Sequence, residues 1–179
     1  MLKKERRVLI LDIEGLLLKS LEIQHGDDIP SWTGHMRFIK EDEICFAISP
    51  DVDVFLDFCF HYFEVWIWSC YNLDKAQHII QTCFPSHHSH FMMLLSNKNC
   101  QNSNIMLGYK RVYLKNLSLV WDMFHDLHAE NTLIFYDSPY RVMWNMQGTY
   151  LIFPKMWRQL CGICKAHTLS FQKCGDSHR

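Results

Sequence analysis

Short apolar runs punctuate the chain at Val8–Leu11, Phe63–Trp68, Phe91–Leu95, Leu133–Tyr136 and Tyr150–Phe153. Each is apolar at successive positions instead of alternate ones and too short for a buried helix, as expected of strands covered on both faces of a parallel sheet. Helical spacing fills the intervals. One helix opens at Ser49-Pro50-Asp51, with Ser49 as the cap and Pro50 at the first helical position, and presents Val54, Phe55, Phe58 and Tyr62. A second, Asn72–Cys83, places Leu73, Ala76, Ile79, Ile80 and Cys83 on one face. A third, Asn116–Leu127, does the same with Leu117, Val120, Met123, Phe124 and Leu127. Strands alternating with helices predict an α/β fold with a doubly wound, mainly parallel sheet.

Two segments break the alternation. Residues 21–48 hold Gly26, Pro30, Gly34 and the short run Ile44-Cys45-Phe46, the signature of a small hairpin insertion and not of a second domain. Residues 96–110 are dominated by Ser, Asn and Gln and read as a loop. The expected organisation is therefore one domain over residues 1–160, with the insertion at about 21–48, followed by a poorly patterned tail over 161–179.

Composition agrees with a packed core: of 179 residues, 49% are hydrophobic and 21% charged, and a domain of this length buries roughly two-thirds of the surface its unfolded chain exposes. The formal net charge of -1 gives no bulk electrostatic reason to bind nucleic acid. Lys3, Lys4, Arg6 and Arg7 form the dense basic run, which reads as a solvated tail ahead of the first strand. No stretch is long and apolar enough for a membrane span, and the basic run passes directly into a strand with no signal-peptide pattern. Most of the eight cysteines sit singly in apolar surroundings, the usage of a reducing, intracellular compartment.

The chemistry concentrates at strand ends. In an open α/β sheet ligands bind beyond the carboxyl ends of the strands, and Asp12 follows the first strand immediately. By itself a strand-Asp-x-x-Gly is as readily a turn cap. Three further segments follow in order: Trp68-Ser69-Cys70 closes a strand with a hydroxyl, Tyr113-Leu114-Lys115 precedes a helix with an ammonium, and Tyr136-Asp137-Ser138-Pro139 closes a strand with a carboxylate. Asp12, Ser69, Lys115 and Asp137 are expected to converge at one end of one sheet.

A carboxylate, a hydroxyl, a lysine and a second acidic site in that chain order resemble the four motifs of the haloacid dehalogenase superfamily. The segments Phe55-Leu56-Asp57-Phe58 and Phe63-Glu64-Val65-Trp66-Ile67-Trp68-Ser69, with Asn131-Thr132-Leu133 and Asp137-Ser138-Pro139-Tyr140, narrow the resemblance. They resemble the RNA polymerase II C-terminal-domain phosphatases, the nuclear LIM interactor-interacting-factor-like branch, in the wording of plant-type members. The resemblance implies Asp12 as nucleophile, Glu14 as general acid and base, Ser69 and Lys115 as phosphate-binding groups, and Mg²⁺ held by Asp12, the carbonyl of Glu14 and Asp137. It also implies an open site that takes a phosphorylated protein segment, such as the polymerase C-terminal domain, and of the nuclear and cytoplasmic settings it favours the nuclear; charge and hydropathy add the expectation of no direct nucleic acid or membrane partner.

The sequence departs from that pattern in ways that bear on chemistry. Where the family has Asp-x-Asp-x-Thr this chain has Asp12-Ile13-Glu14-Gly15-Leu16, so a longer carboxylate replaces the acid and a hydroxyl is lost. Tyr136 occupies the position of the direct acidic metal ligand, and a phenol neutral near pH 7 is a poor Mg²⁺ donor. Ser49 stands where arginine is common. The expectation is a degenerate phosphatase-like domain, weak or inactive and with Mg²⁺ weakly held or absent, that retains phosphoprotein binding. The alternatives are an active Mg²⁺-dependent protein serine/threonine phosphatase and a non-catalytic interaction module on the same fold.

Other candidates read as structural. Ser86-His87-His88-Ser89-His90 is expected to be a solvated loop. Cys161, Cys164, His167 and Cys174 have zinc-compatible spacing, but a lone Cys-x-x-Cys in an unpatterned segment is read as tail. Trp66, Trp68, Phe63 and Phe135 are expected in the core.

Overall fold

The structure, a computed structural model, describes residues 6–22, 36–49 and 51–153. Cys161, Cys164, His167 and Cys174 lie outside the described residues, as does Pro50.

Strands β1 (Val8–Leu11), β5 (Glu64–Trp68), β6 (Met93–Leu95), β9 (Thr132–Tyr136) and β10 (Tyr150–Ile152) form one parallel sheet in the order β10-β9-β1-β5-β6. β1 lies at its centre, and all four of its residues are buried. Because successive strand residues point to opposite faces, Leu9, Leu11, Val65 and Ile67 enter one hydrophobic cluster while Val8, Ile10, Trp66 and Trp68 enter another. Helices α1 (Val52–Tyr62) and α2 (Leu73–Cys83) close the first cluster, and α3 (Leu117–Met123) closes the second. The doubly wound α/β expectation holds. Trp66 and Trp68 are fully buried as expected, whereas Phe63 and Phe135 are half-buried.

The helices begin where side chains replace missing backbone partners. Asn72 Oδ1 accepts from the Lys75 amide at 2.8 Å, and Asn116 Oδ1 accepts from the Ser118 amide at 3.1 Å. α1 departs from expectation. Asp51, and not Ser49, occupies its cap position without a side-chain cap bond. It buries Val52, Leu56 and Cys59, leaving Val54 71%, Phe58 58% and Tyr62 58% exposed. The helix is apolar over most of its circumference, so polar positions decide its rotation: Asp53 reaches Arg37 at 3.3 Å and Asp57 reaches His87 at 3.0 Å. The aromatic positions thus face a shallow groove lined by Leu9, Phe55, Phe58, Tyr62 and Phe135.

The insertion bears the expected hairpin, β3 (Arg37–Glu41) with β4 (Ile44–Ile48), and β2 (Leu18–Glu22) adds a third antiparallel strand in the order β2-β4-β3, beginning three residues before the expected boundary. The expected loop at 96–110 is also corrected. It contains β7 (Gln101–Leu107), paired antiparallel with β8 (Lys110–Leu114), and Gly108 takes φ 62° at the turn. Its polarity hid it, since a two-stranded ribbon open to water needs no apolar face; Ser103 Oγ donates to the Val112 carbonyl across it at 2.6 Å.

Two charged features are also more structural than their sequence context suggests. Arg6 donates to Glu64 at 2.6 Å and Asp126 at 2.7 Å and lies over the Trp66 ring, so it is no free tail. His87 is buried against α1 and paired with Asp57, an exception within the expected solvated loop, whose Ser86, His88, Ser89 and His90 are exposed.

Trp66→Ala should cost about 3–5 kcal/mol in urea unfolding by opening a cavity in the second cluster. Val54→Ser should stay within about 0.5 kcal/mol of wild type. Equal losses for the two would contradict the observed rotation of α1.

Candidate active site

The sheet order places the carboxyl ends of β9, β1 and β5 side by side, so the residues that follow them are neighbours. Asp12, after β1, is 3% exposed. Lys115, between β8 and α3, is fully buried, and its Nζ donates to Asp12 Oδ1 at 2.7 Å and to the Trp68 carbonyl. Its ammonium also lies 4.3 Å from the centroid of the Tyr136 ring. A lysine this deep requires such partners, because a buried unpaired charge costs several kcal/mol.

Ser69 follows Trp68 and is buried; its amide donates to the Leu95 carbonyl at 2.9 Å, and its Oγ accepts from the Tyr71 amide at 3.1 Å. That arrangement leaves the Ser69 hydroxyl proton available as a donor. Asp137 follows β9, and its Oδ1 accepts from Ser138 Oγ at 2.8 Å. Its other oxygen packs against Gly15: a Cβ built there would stand 2.2 Å from Asp137 Oδ2. Gly15 also has φ +86°, which glycine adopts without steric cost. The four sequence-selected positions thus lie together, Lys115 joining Asp12 to the end of β5 and Gly15 joining the Asp12 loop to Asp137.

Glu14 sits apart from that ion pair. Its carboxylate accepts from Ser20 Oγ at 2.6 Å, from the Ser20 amide at 3.1 Å and from Tyr71 Oη at 3.3 Å. Burial pushes its pKa above the ordinary carboxylate value, the bonds from Ser20 and Tyr71 partly opposing this. Leu16, at the position of the lost hydroxyl, is buried in the first cluster. Tyr136 is 3% exposed; burial, with the neighbouring Asp12 carboxylate, holds the phenol well above its ordinary pKa, so a neutral phenol stands beside Asp12.

Sequence reasoning missed Cys70, Tyr71 and Arg141. Arg141 Nη1 donates to Cys70 Sγ at 2.7 Å, placing a second cation beside Lys115's end of the site. A basic residue two positions after Ser138-Pro139 was a visible signal for Arg141. Tyr71 had none, since its role depends on a bond to an insertion strand 51 residues away.

A family model described as NLI interacting factor-like phosphatase matches residues 7–160. The chain belongs to that family. Two solved structures share the fold: the fission yeast RNA polymerase II CTD phosphatase Fcp1, as a variant bound to beryllium fluoride, and Fcp1 described as an essential RNA polymerase II CTD phosphatase. Each is 12% identical with TM-score 0.57, covering 84% of this chain and 42% of that one. This chain therefore spans less than half the length of those structures. No curated protein matches it in sequence. The haloacid dehalogenase-like expectation for the fold is confirmed, and the domain is phosphatase-like. No helix among the described residues is long and apolar enough to cross a membrane.

Two outcomes test this geometry. Gly15→Ala should destabilise by about 1–3 kcal/mol in chemical unfolding, through its φ and the displaced Asp137; an unchanged midpoint would contradict the contact. The raised pKa of Glu14 means the folded state favours the neutral acid, so wild type loses stability as pH rises from about 4.5 through the folded value. Glu14→Gln removes that loss. Unfolding midpoints from pH 4 to 8 should show the variant gaining on wild type over this interval, and parallel profiles would refute it.

Proposed function

We propose that this domain binds phosphoserine- or phosphothreonine-bearing protein segments and dephosphorylates them weakly or not at all. The supporting observation is the setting of Asp12: Lys115 donates to it at 2.7 Å, and the same ammonium lies over the ring of Tyr136, a buried neutral phenol at the family's acidic ligand position.

On this reading the Ser69 hydroxyl and Lys115 ammonium hold phosphoryl oxygens, and Asp12 attacks phosphorus to form a phosphoaspartate. Glu14 protonates the departing serine or threonine oxygen and then takes a proton from the attacking water. Its raised pKa suits the acid role, which is why the proposal is weak turnover and not its complete loss. Its position does not suit that role. Three donors from Ser20 and Tyr71 hold it, and its extra methylene shifts the carboxylate by roughly 1 Å where catalytic placement tolerates about 0.5 Å.

The residues present do not fit tight Mg²⁺ binding. Mg²⁺ demands near-octahedral oxygen donors, and a protonated phenol stands where a carboxylate would supply charge, leaving Asp12 and Asp137 with the Glu14 carbonyl. The substrate class comes from the family and from the fission yeast relative's name as a CTD phosphatase; the polymerase C-terminal domain is the first segment to try.

Turnover of a phosphopeptide or aryl phosphate should be very slow in wild type. Restoring the ligand and the acid with Tyr136→Asp and Glu14→Asp together should raise it substantially. Losing one preorganised charge-stabilising contact typically costs about 10²–10³ in rate, and grouped residues are non-additive, so each single substitution should recover less than the pair. Asp12→Asn serves as the blank. Wild-type turnover well above that blank and abolished by chelation would establish a fully active enzyme instead.

A further inference from the structure

Beside the phosphate-binding positions lie two sulfurs that the reading above does not use. Cys70 directly follows Ser69, and Cys100 follows β6 after a short turn at Asn97–Asn99. Backbone bonds from Ser69 to Leu95 and from Asn97 to Tyr71, each 2.9 Å, fasten the two segments on either side of Cys70. The Cys100 thiol donates to the Ser96 carbonyl at 3.8 Å and neighbours the Cys70 sulfur. Cys45, Cys59 and Cys83 are buried among apolar groups, whereas Cys70 and Cys100 are both partly exposed.

The surroundings favour a thiolate at Cys70. Arg141 Nη1 donates to its sulfur at 2.7 Å, and Lys115 adds a second positive charge, with Asp12 the opposing anion. The neighbouring Cys100 thiol, together with these cations, lowers the Cys70 pKa to about 6 against the cost of burial. Cys59 and Cys83, by contrast, are pushed up to about 12 by burial. The neighbouring Cys70 and burial hold the Cys100 thiol well above its ordinary value, so it stays protonated beside the Cys70 thiolate. Low-pKa thiolates beside a second thiol are the arrangement that reacts selectively with peroxides.

We propose that Cys70 and Cys100 form a peroxide-sensitive dithiol that closes to a disulfide at the edge of the phosphate site. The Cys70 thiolate attacks one oxygen of a hydroperoxide, the O–O bond breaks, and the other oxygen leaves as alkoxide or hydroxide and is protonated by water. Sulfur is oxidised by two electrons to a sulfenic acid and the peroxide is reduced. Cys100 then attacks the Cys70 sulfur, and its thiol proton departs with the displaced hydroxyl as water. Any effect on phosphate binding rests on the function proposed above; the disulfide does not.

The full chain is treated with hydrogen peroxide, alkylated with N-ethylmaleimide and mapped by peptide mass spectrometry. The expected product links Cys70 to Cys100, is reversed by dithiothreitol, and forms regardless of whether any phosphatase activity is detected. In Cys100→Ser, Cys70 should instead be trapped by dimedone as the sulfenic acid. Wild-type alkylation of Cys70 should level off above about pH 7, where an ordinary thiol still gains about tenfold per pH unit; this readout survives even if the variant misfolds. Cys70 reacting no faster than Cys45, or pairing with Cys161, Cys164 or Cys174, would overturn the proposal.

Discussion

The buried ion pair of Asp12 and Lys115 is the constraint around which the catalytic end of this fold is arranged. An ammonium with no solvent contact needs several partners at once, and they come from separate parts of the chain: the end of β1, the Trp68 carbonyl of β5 and the ring of Tyr136 on β9. Breaking such a pair by removing one partner typically costs about 3–5 kcal/mol because the other charge stays buried. The same contacts therefore fasten three neighbouring strand ends and fix the position proposed for the nucleophile. Structure and chemistry share the interaction, and a carboxylate gripped this way has less freedom to serve a metal.

How much of the architecture was readable depended on how strongly burial writes a pattern. β1, β5 and β9 are covered on both faces, and their unbroken apolar runs announced them within a residue of their observed ends. α2 was equally plain, since its buried Ala76, Ile79, Ile80 and Cys83 follow one stripe against a polar remainder. α1 carries apolar residues nearly all round, so periodicity could not fix its rotation; Asp53 and Asp57 did, through Arg37 and His87, partners distant in sequence. The β7–β8 ribbon left no apolar signal because water covers most of it. Arg6 looked like part of a tail because Glu64 and Asp126, which hold it, are 58 and 120 residues away.

The site divided along the same line. Asp12, Ser69 and Asp137 were visible because a polar residue terminating a buried strand is conspicuous, and Lys115 because it opens a helix in the same series. Tyr71 and Cys70 draw their character from neighbours across the fold, so no local spacing marked them, whereas Arg141 had a local signal in the Ser138-Pro139 that precedes it. The substitution at Tyr136 was visible, but not its consequence that a neutral phenol would stand beside Asp12 while its ring supports the lysine. In a buried site a replaced side chain takes up new contacts and leaves no gap where the old group stood.

Gly15 carries a different kind of information. Its single hydrogen leaves room for Asp137, and the backbone there bends in a sense that few other residues accept. That is the most exacting steric requirement near the site, and this chain meets it even though Glu14, Leu16 and Tyr136 depart from the family's chemistry. The side chains in which this chain departs from the family's pattern hang on a loop whose bend Gly15 fixes, so point substitutions can exchange them without rebuilding any backbone.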